Sequence, residues 1–179
     1  MTTAKIFSLA ALILGLFANA GAADEAGAGM AQTLAGAAQA EAMSWRTHAE
    51  YMRDDAEDKL YNAMGARAQL VAAGIDPMFL ITGDILINSG NAHKASGTNK
   101  YAQGVFHDAD GQLHMTVAGN AMTVQDWDFA TTQYDAAIVD FDAAAEDYEA
   151  ATTGGFYEAY VRYDAALMEF DEFLMLLMM

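Results

Sequence analysis

Cysteine is absent, and proline occurs once in 179 residues, at Pro77. The first absence removes disulfides, thiol catalysis, iron–sulfur clusters and cysteine zinc sites from consideration. The second leaves little to interrupt long helices. Cations are scarce too: 8 Lys and Arg oppose 25 Asp and Glu, a net charge of −17. A surface of that sign repels nucleic acid, which needs clustered cations, and repels anionic lipid headgroups. Nucleic acid is therefore not an expected partner. Catalytic patterns are missing as well. No Gly-x-Ser-x-Gly, His-Glu-x-x-His or Walker loop occurs. The expectation is a non-enzymatic protein.

What the chain does contain is apolar residue, 54% of the total, well above a disordered composition. Lys5 precedes Ile6–Phe17, about twelve residues without charge, and then Ala18, Asn19 and Ala20. A short positive start, an apolar stretch of this length and small residues at −3 and −1 describe a secretory signal. Cleavage is expected after Ala20. A retained apolar helix is the alternative, although the stretch falls short of the roughly 20 residues of a bilayer span. The expected location is exported: periplasmic, cell-surface or extracellular. Residues 21–179 then form one helix-rich domain, of charge −18 once Lys5 is gone.

Along that domain, 21–29 reads as a flexible leader. One long helix is predicted from Met30 to Ala73, with Trp45, Ala49, Met52, Ala56, Leu60, Ala63, Arg67 and Leu70 on one stripe. Gly74 is placed to end it, and Asp76-Pro77 to restart a helix. Residues 78–87 fit a short helix better than a strand. The polar stretch 88–100 reads as a loop. Residues 101–124 read as a small β-meander, with Asp110-Gly111 and Gly119-Asn120 as tight turns. Thr123–Asp126 resembles a capping box. Beyond it run two seams of spacing 4-3-4-3: Trp127 to Thr152, and Phe156 to Leu177. The break at Thr153-Gly154-Gly155 between them predicts an antiparallel helical hairpin. The fold class is thus mainly α, an elongated three-helix bundle carrying an inserted meander.

Two groups of residues stand out for function. In the meander register, His107 and His114 share an outward face beside Asp108 and Asp110, near enough to share a metal. A divalent cation is the one cofactor this suggests. Asp108-x-Asp110-Gly111 matches only a fragment of a calcium-loop pattern. The second group is the C-terminus, where Phe173–Met179 is apolar throughout. Such a run needs cover. The run either packs under the chain's own β part or meets another subunit, and in the second case Phe170, Phe173, Leu174, Leu176, Leu177 and Met178 are the expected oligomer contact. The function so read is an exported structural or interaction protein that associates with itself or with a protein partner. Membrane contact through this end, or through an uncleaved N-terminus, is the lesser expectation. The alternative function is an extracytoplasmic cation- or ligand-binding module.

Overall fold

The computed structural model describes residues 24–179, all of them in helices or the short links between them. The expected signal at 1–20 lies outside the described residues. Helix α1 spans Glu25–Ala72, α2 Ile81–Thr123, α3 Trp127–Ala150 and α4 Tyr157–Leu177. A 3-10 turn, Pro77–Leu80, leads into α2, and a π-helical segment, Ala151–Phe156, joins α3 to α4. The architecture is a helical bundle.

Local signals explain most boundaries. Asp24 accepts from the Gly27 N–H at 2.8 Å and starts α1, so the leader expected at 21–29 is helical from Glu25. Gly74 has φ +79°, a backbone that favours glycine. Its N–H reaches the Val71 carbonyl, and the Ile75 N–H reaches that of Leu70. These two bonds satisfy the last carbonyls of α1. Asp76 then accepts from the Met78 N–H at 2.9 Å, with Pro77 at the first position of the turn. At the next corner Asp126, not Thr123, is the cap, accepting from the Phe129 N–H at 3.3 Å.

Two expectations fail. There is no strand among the described residues, and both the loop at 88–100 and the β-meander at 101–124 lie inside α2. Asp110-Gly111 and Gly119-Asn120 sit in the helix. The reason is a repeat in the glycines. Gly83, Gly90, Gly97, Gly104 and Gly111 recur at every seventh position, followed by Ala118. Each of these glycines faces an aromatic ring or another glycine, and packing of that kind overrides weak helix propensity. The Gly-Gly break is also corrected. Ala151–Phe156 continues the helix as a wider turn, so α3 and α4 form one rod and not a hairpin.

The chain divides into two compact units. Unit 1 holds described residues 24–41 and 107–142, and unit 2 holds 42–106 and 143–179. In unit 1, Ala28, Ala31 and Ala35 of α1, Ala118 and Ala121 of α2, and Tyr134, Ile138 and Phe141 of α3 are each buried. A Cβ placed on Gly111 would lie 2.7 Å from the Phe141 ring.

Unit 2 repeats one layer several times. Ala49 meets Ala151 and Phe156, Ala56 meets Ala159 and Tyr163, and Ala63 meets Ala166 and Phe170. The numbers rise together, so α1 runs parallel to α4. Going the other way, Gly104 faces Tyr148, Gly97 faces Phe156, Gly90 faces Tyr163 and Gly83 faces Phe170. Helix α2 is therefore antiparallel to that rod. Alanine, glycine and one ring meet in each layer, and each ring taken from water contributes about 2 kcal/mol. Polar pairs between helices fix the register. Arg67 grips Asp84 through two nitrogens at 2.5 and 2.8 Å. Lys59 meets Asp164 at 2.5 Å, Lys94 meets Glu57 at 2.9 Å and Lys100 meets Asp147 at 3.0 Å. The Tyr163 hydroxyl donates to Asn91 at 2.8 Å, and that of Tyr101 donates to Glu50.

Candidate interaction surface

The residues read as a metal site do not stand on a hairpin. His107, Asp108, Asp110 and His114 all lie on α2. Seven residues along a helix separate the two histidines by about 10 Å of rise, beyond what one ion bridges. Asp108 is 4% exposed and accepts from Gln112 at 3.2 Å. His114 Nδ1 lies 2.7 Å from the Gln133 side-chain oxygen, and its Nε2 lies 3.6 Å from Asp140. Among the described residues no group of three or more His, Cys, Asp or Glu could hold a metal ion.

Unit 1 has another electrostatic peculiarity. It carries ten Asp and Glu and no Lys or Arg among its described residues. One of the acids, Asp135, has a carboxyl oxygen buried without a hydrogen-bond partner, and burial pushes its pKa up. A carboxyl whose folded pKa is raised stabilises the fold below its unfolded pKa, and that stability is lost as pH rises through the folded value. Asp84 has the opposite sign. Its hydrogen bonds from Arg67 hold it below the ordinary carboxylate range, so its contribution is present at neutral pH and lost on acidification. Asp135→Asn is therefore expected to stabilise the protein at pH 7 by about 1 kcal/mol. The gain should shrink as pH falls through the carboxylate range. Urea unfolding at pH 7 and pH 4 checks both the sign and the trend.

The C-terminal residues divide. Phe170 is 1% exposed, packed with Ala63, Ala66, Leu70 and Leu80. It is an interior residue and not a contact for another molecule. Phe173 and Leu174 lie partly buried against the same cluster, and the Phe173 ring sits 6.0 Å from that of Phe79. Met175, Leu176, Leu177 and Met178 point outward, Leu176 at 62% and Met178 at 80% exposure.

These residues have apolar neighbours. The turn after α1 and the first turns of α2 expose Met78, Phe79, Ile81 and Ile85, and the end of α1 exposes Val71. Leu70, Leu80 and Phe170 belong to one cluster, which brings the ends of α1 and α4 and the start of α2 together. One end of unit 2 is thus an apolar surface drawn from four segments. Sequence reasoning found the α4 part through its unbroken apolar run. It missed the contribution of 78–85, whose apolar residues it assigned to secondary structure and not to a surface.

Charge around this end is mostly negative, and its one cation, Arg67, is paired with Asp84. Asp76, Asp171 and Glu172 are exposed, with Glu169 half-buried beside them. Neither α1 nor α4 has a basic residue in its last turn. No helix among the described residues is long and apolar enough to cross a membrane. Comparison with protein-family models, curated proteins and solved structures finds no match.

Proposed function

We propose that this chain is an exported, non-enzymatic interaction protein that docks through the apolar end of unit 2. The observation carrying the reading is the exposure of Met175, Leu176, Leu177 and Met178 at the end of α4, next to the Phe173–Phe79 ring contact, together with exposed Met78 and Phe79. Soluble proteins seldom leave clustered large apolar side chains in water, and surfaces of this kind mark contact sites. Methionine suits such a surface, because its flexible thioether adapts to irregular partners. The rest of the fold serves as a scaffold: repeated Ala–Gly–aromatic layers hold the ends of α1, α2 and α4 together.

The test uses a helical Leu/Gln amphipathic peptide of about 14 residues, which has no net charge. The full chain should bind it, and the pair of exposed substitutions Leu176→Ser and Leu177→Ser should weaken binding about tenfold while leaving the unfolding midpoint unchanged. Equal binding by both proteins would reject the docking site. Light scattering on the same samples reads self-association. A second copy is the occupant if a dimer forms and the double substitution dissolves it.

A further inference from the structure

We infer that the apolar end of unit 2 takes a cationic amphipathic helix: one face apolar, flanked by Lys or Arg. This rests on the docking reading above and names the chemistry of what docks. Charge complementarity carries it. Every Lys and Arg among the described residues already faces an acid of its own chain. Close to the apolar end, Glu169, Asp171 and Glu172 have no such partner. The last turns of α1 and α4 carry no basic side chain and add the negative ends of two helix dipoles, against the single positive end where α2 begins under its Asp76 cap. A ligand that covers the apolar residues therefore meets a border where unpaired acids outnumber the one cation, Arg67, which is already held by Asp84.

That border discriminates among occupants. A second copy brings the same acids and no spare cation, so like charges would face each other. An anionic lipid surface is repelled for the same reason. A segment with Lys or Arg beside its apolar face instead gains a charge-assisted contact at each border acid. The helical form follows from the backbone. No strand exists among the described residues to offer an edge for strand addition, whereas a helix arrives with its own backbone bonds made and lays its i, i+3, i+4 side chains onto an apolar surface.

The experiment adds three probes to the neutral Leu/Gln peptide: a Leu/Lys amphipathic peptide of the same length, a scrambled Leu/Lys peptide of identical composition, and vesicles of phosphatidylcholine with phosphatidylglycerol. Binding is measured by fluorescence anisotropy with the full chain at low and high salt. The Leu/Lys amphipathic peptide should bind at least tenfold tighter than either the neutral or the scrambled one. Its advantage over the neutral peptide should fall with salt. The triple variant Glu169→Gln, Asp171→Asn, Glu172→Gln should bring the cationic and neutral peptides to similar affinity. If neutral and cationic peptides bind equally, the docking site stands and the charge rule fails. If the scrambled peptide matches the amphipathic one, attraction to the net charge of the chain explains everything and the inference falls. Vesicle binding, or a dimer that excludes the peptide, also overturns it. Should the neutral peptide fail to bind while the cationic one binds in a manner sensitive to Leu176→Ser and Leu177→Ser, the inference holds.

Discussion

Gly90→Ala is expected to destabilise the protein by about 3 kcal/mol, although alanine is the better helix former. The added methyl would lie 2.7 Å from Cδ1 of Tyr163 and closer still to Cε1. That ring has no room to retreat. Tyr163 is fully buried against Ala56 and Ala159, and its hydroxyl is held by Asn91. Overpacking a dense core forces side chains off their rotamers or shifts the backbone. Gly65→Ala supplies the control. Gly65 lies exposed inside α1 with nothing within 4 Å of a built Cβ. There the same substitution is expected to stabilise by about 1 kcal/mol, the difference in helix propensity. Two identical chemical changes in two helices should thus have opposite signs in denaturant unfolding. Adding Tyr163→Leu should relieve part of the Gly90→Ala cost, a coupling that a double-mutant cycle measures. If Gly90→Ala stabilises as Gly65→Ala does, α2 is not seated on the rings and the layer packing is wrong.

That contrast explains which parts of the fold were legible in the sequence. The aromatic stripe was plain. Tyr134, Ile138, Phe141, Ala145, Tyr148 and Thr152 follow the 4-3 spacing, and all six are buried. So was the α1 stripe, where Ala49, Ala56, Ala63 and Leu70 are fully buried. Gly74 and Asp76-Pro77 acted as the local chemistry dictates. Helix α2 was illegible because its buried face is made of glycine. Glycine carries no side chain, so the stripe has almost no hydropathy contrast. Its neighbours Asn, Asp and Ser are the residues that mark turns elsewhere. The signal was present in spacing and absent in polarity: five glycines seven residues apart are a packing surface, although each alone reads as a breaker.

The candidate surface shows the same division. The run from Phe173 to Met179 announced itself, but Phe170 was placed with it when it belongs under the Gly83 backbone. A heptad count continued one layer earlier separates the two, since Phe170 lies seven residues after Tyr163 and shares its inward position. His107 and His114 illustrate the opposite error. Period-2 reasoning set them on one strand face, whereas the helix puts them two turns apart.

Deleting one residue should have very different consequences on the two sides of the π-helical segment. Tyr148 and Phe156 are eight residues apart, and so are Ala151 and Ala159, whereas the neighbouring layers are spaced by seven. Across them α2 keeps a strict seven from Gly104 to Gly83. The α3–α4 rod therefore contains one residue more than its partner helix can match. The segment Ala151–Phe156 absorbs it as a wider turn, which keeps both stripes facing inward. Removing Gly154 restores the spacing of seven. The variant should fold with its stability changed by no more than about 1 kcal/mol and with the turn replaced by regular helix. Removing Ala165, a small residue also off the stripe, has no such remedy. Everything beyond it rotates by about 100°. Phe170 then leaves its place over Gly83, or the extra turn collapses and displaces Ala159 and Tyr163 instead. Either route gives up a buried aromatic layer, a loss of at least 3 kcal/mol on the scale of large-to-small core changes. Urea unfolding of the two deletions gives the comparison, and circular dichroism confirms that each remains helical. Equal losses would mean that the π-helical turn does not exist to reconcile an eight with a seven.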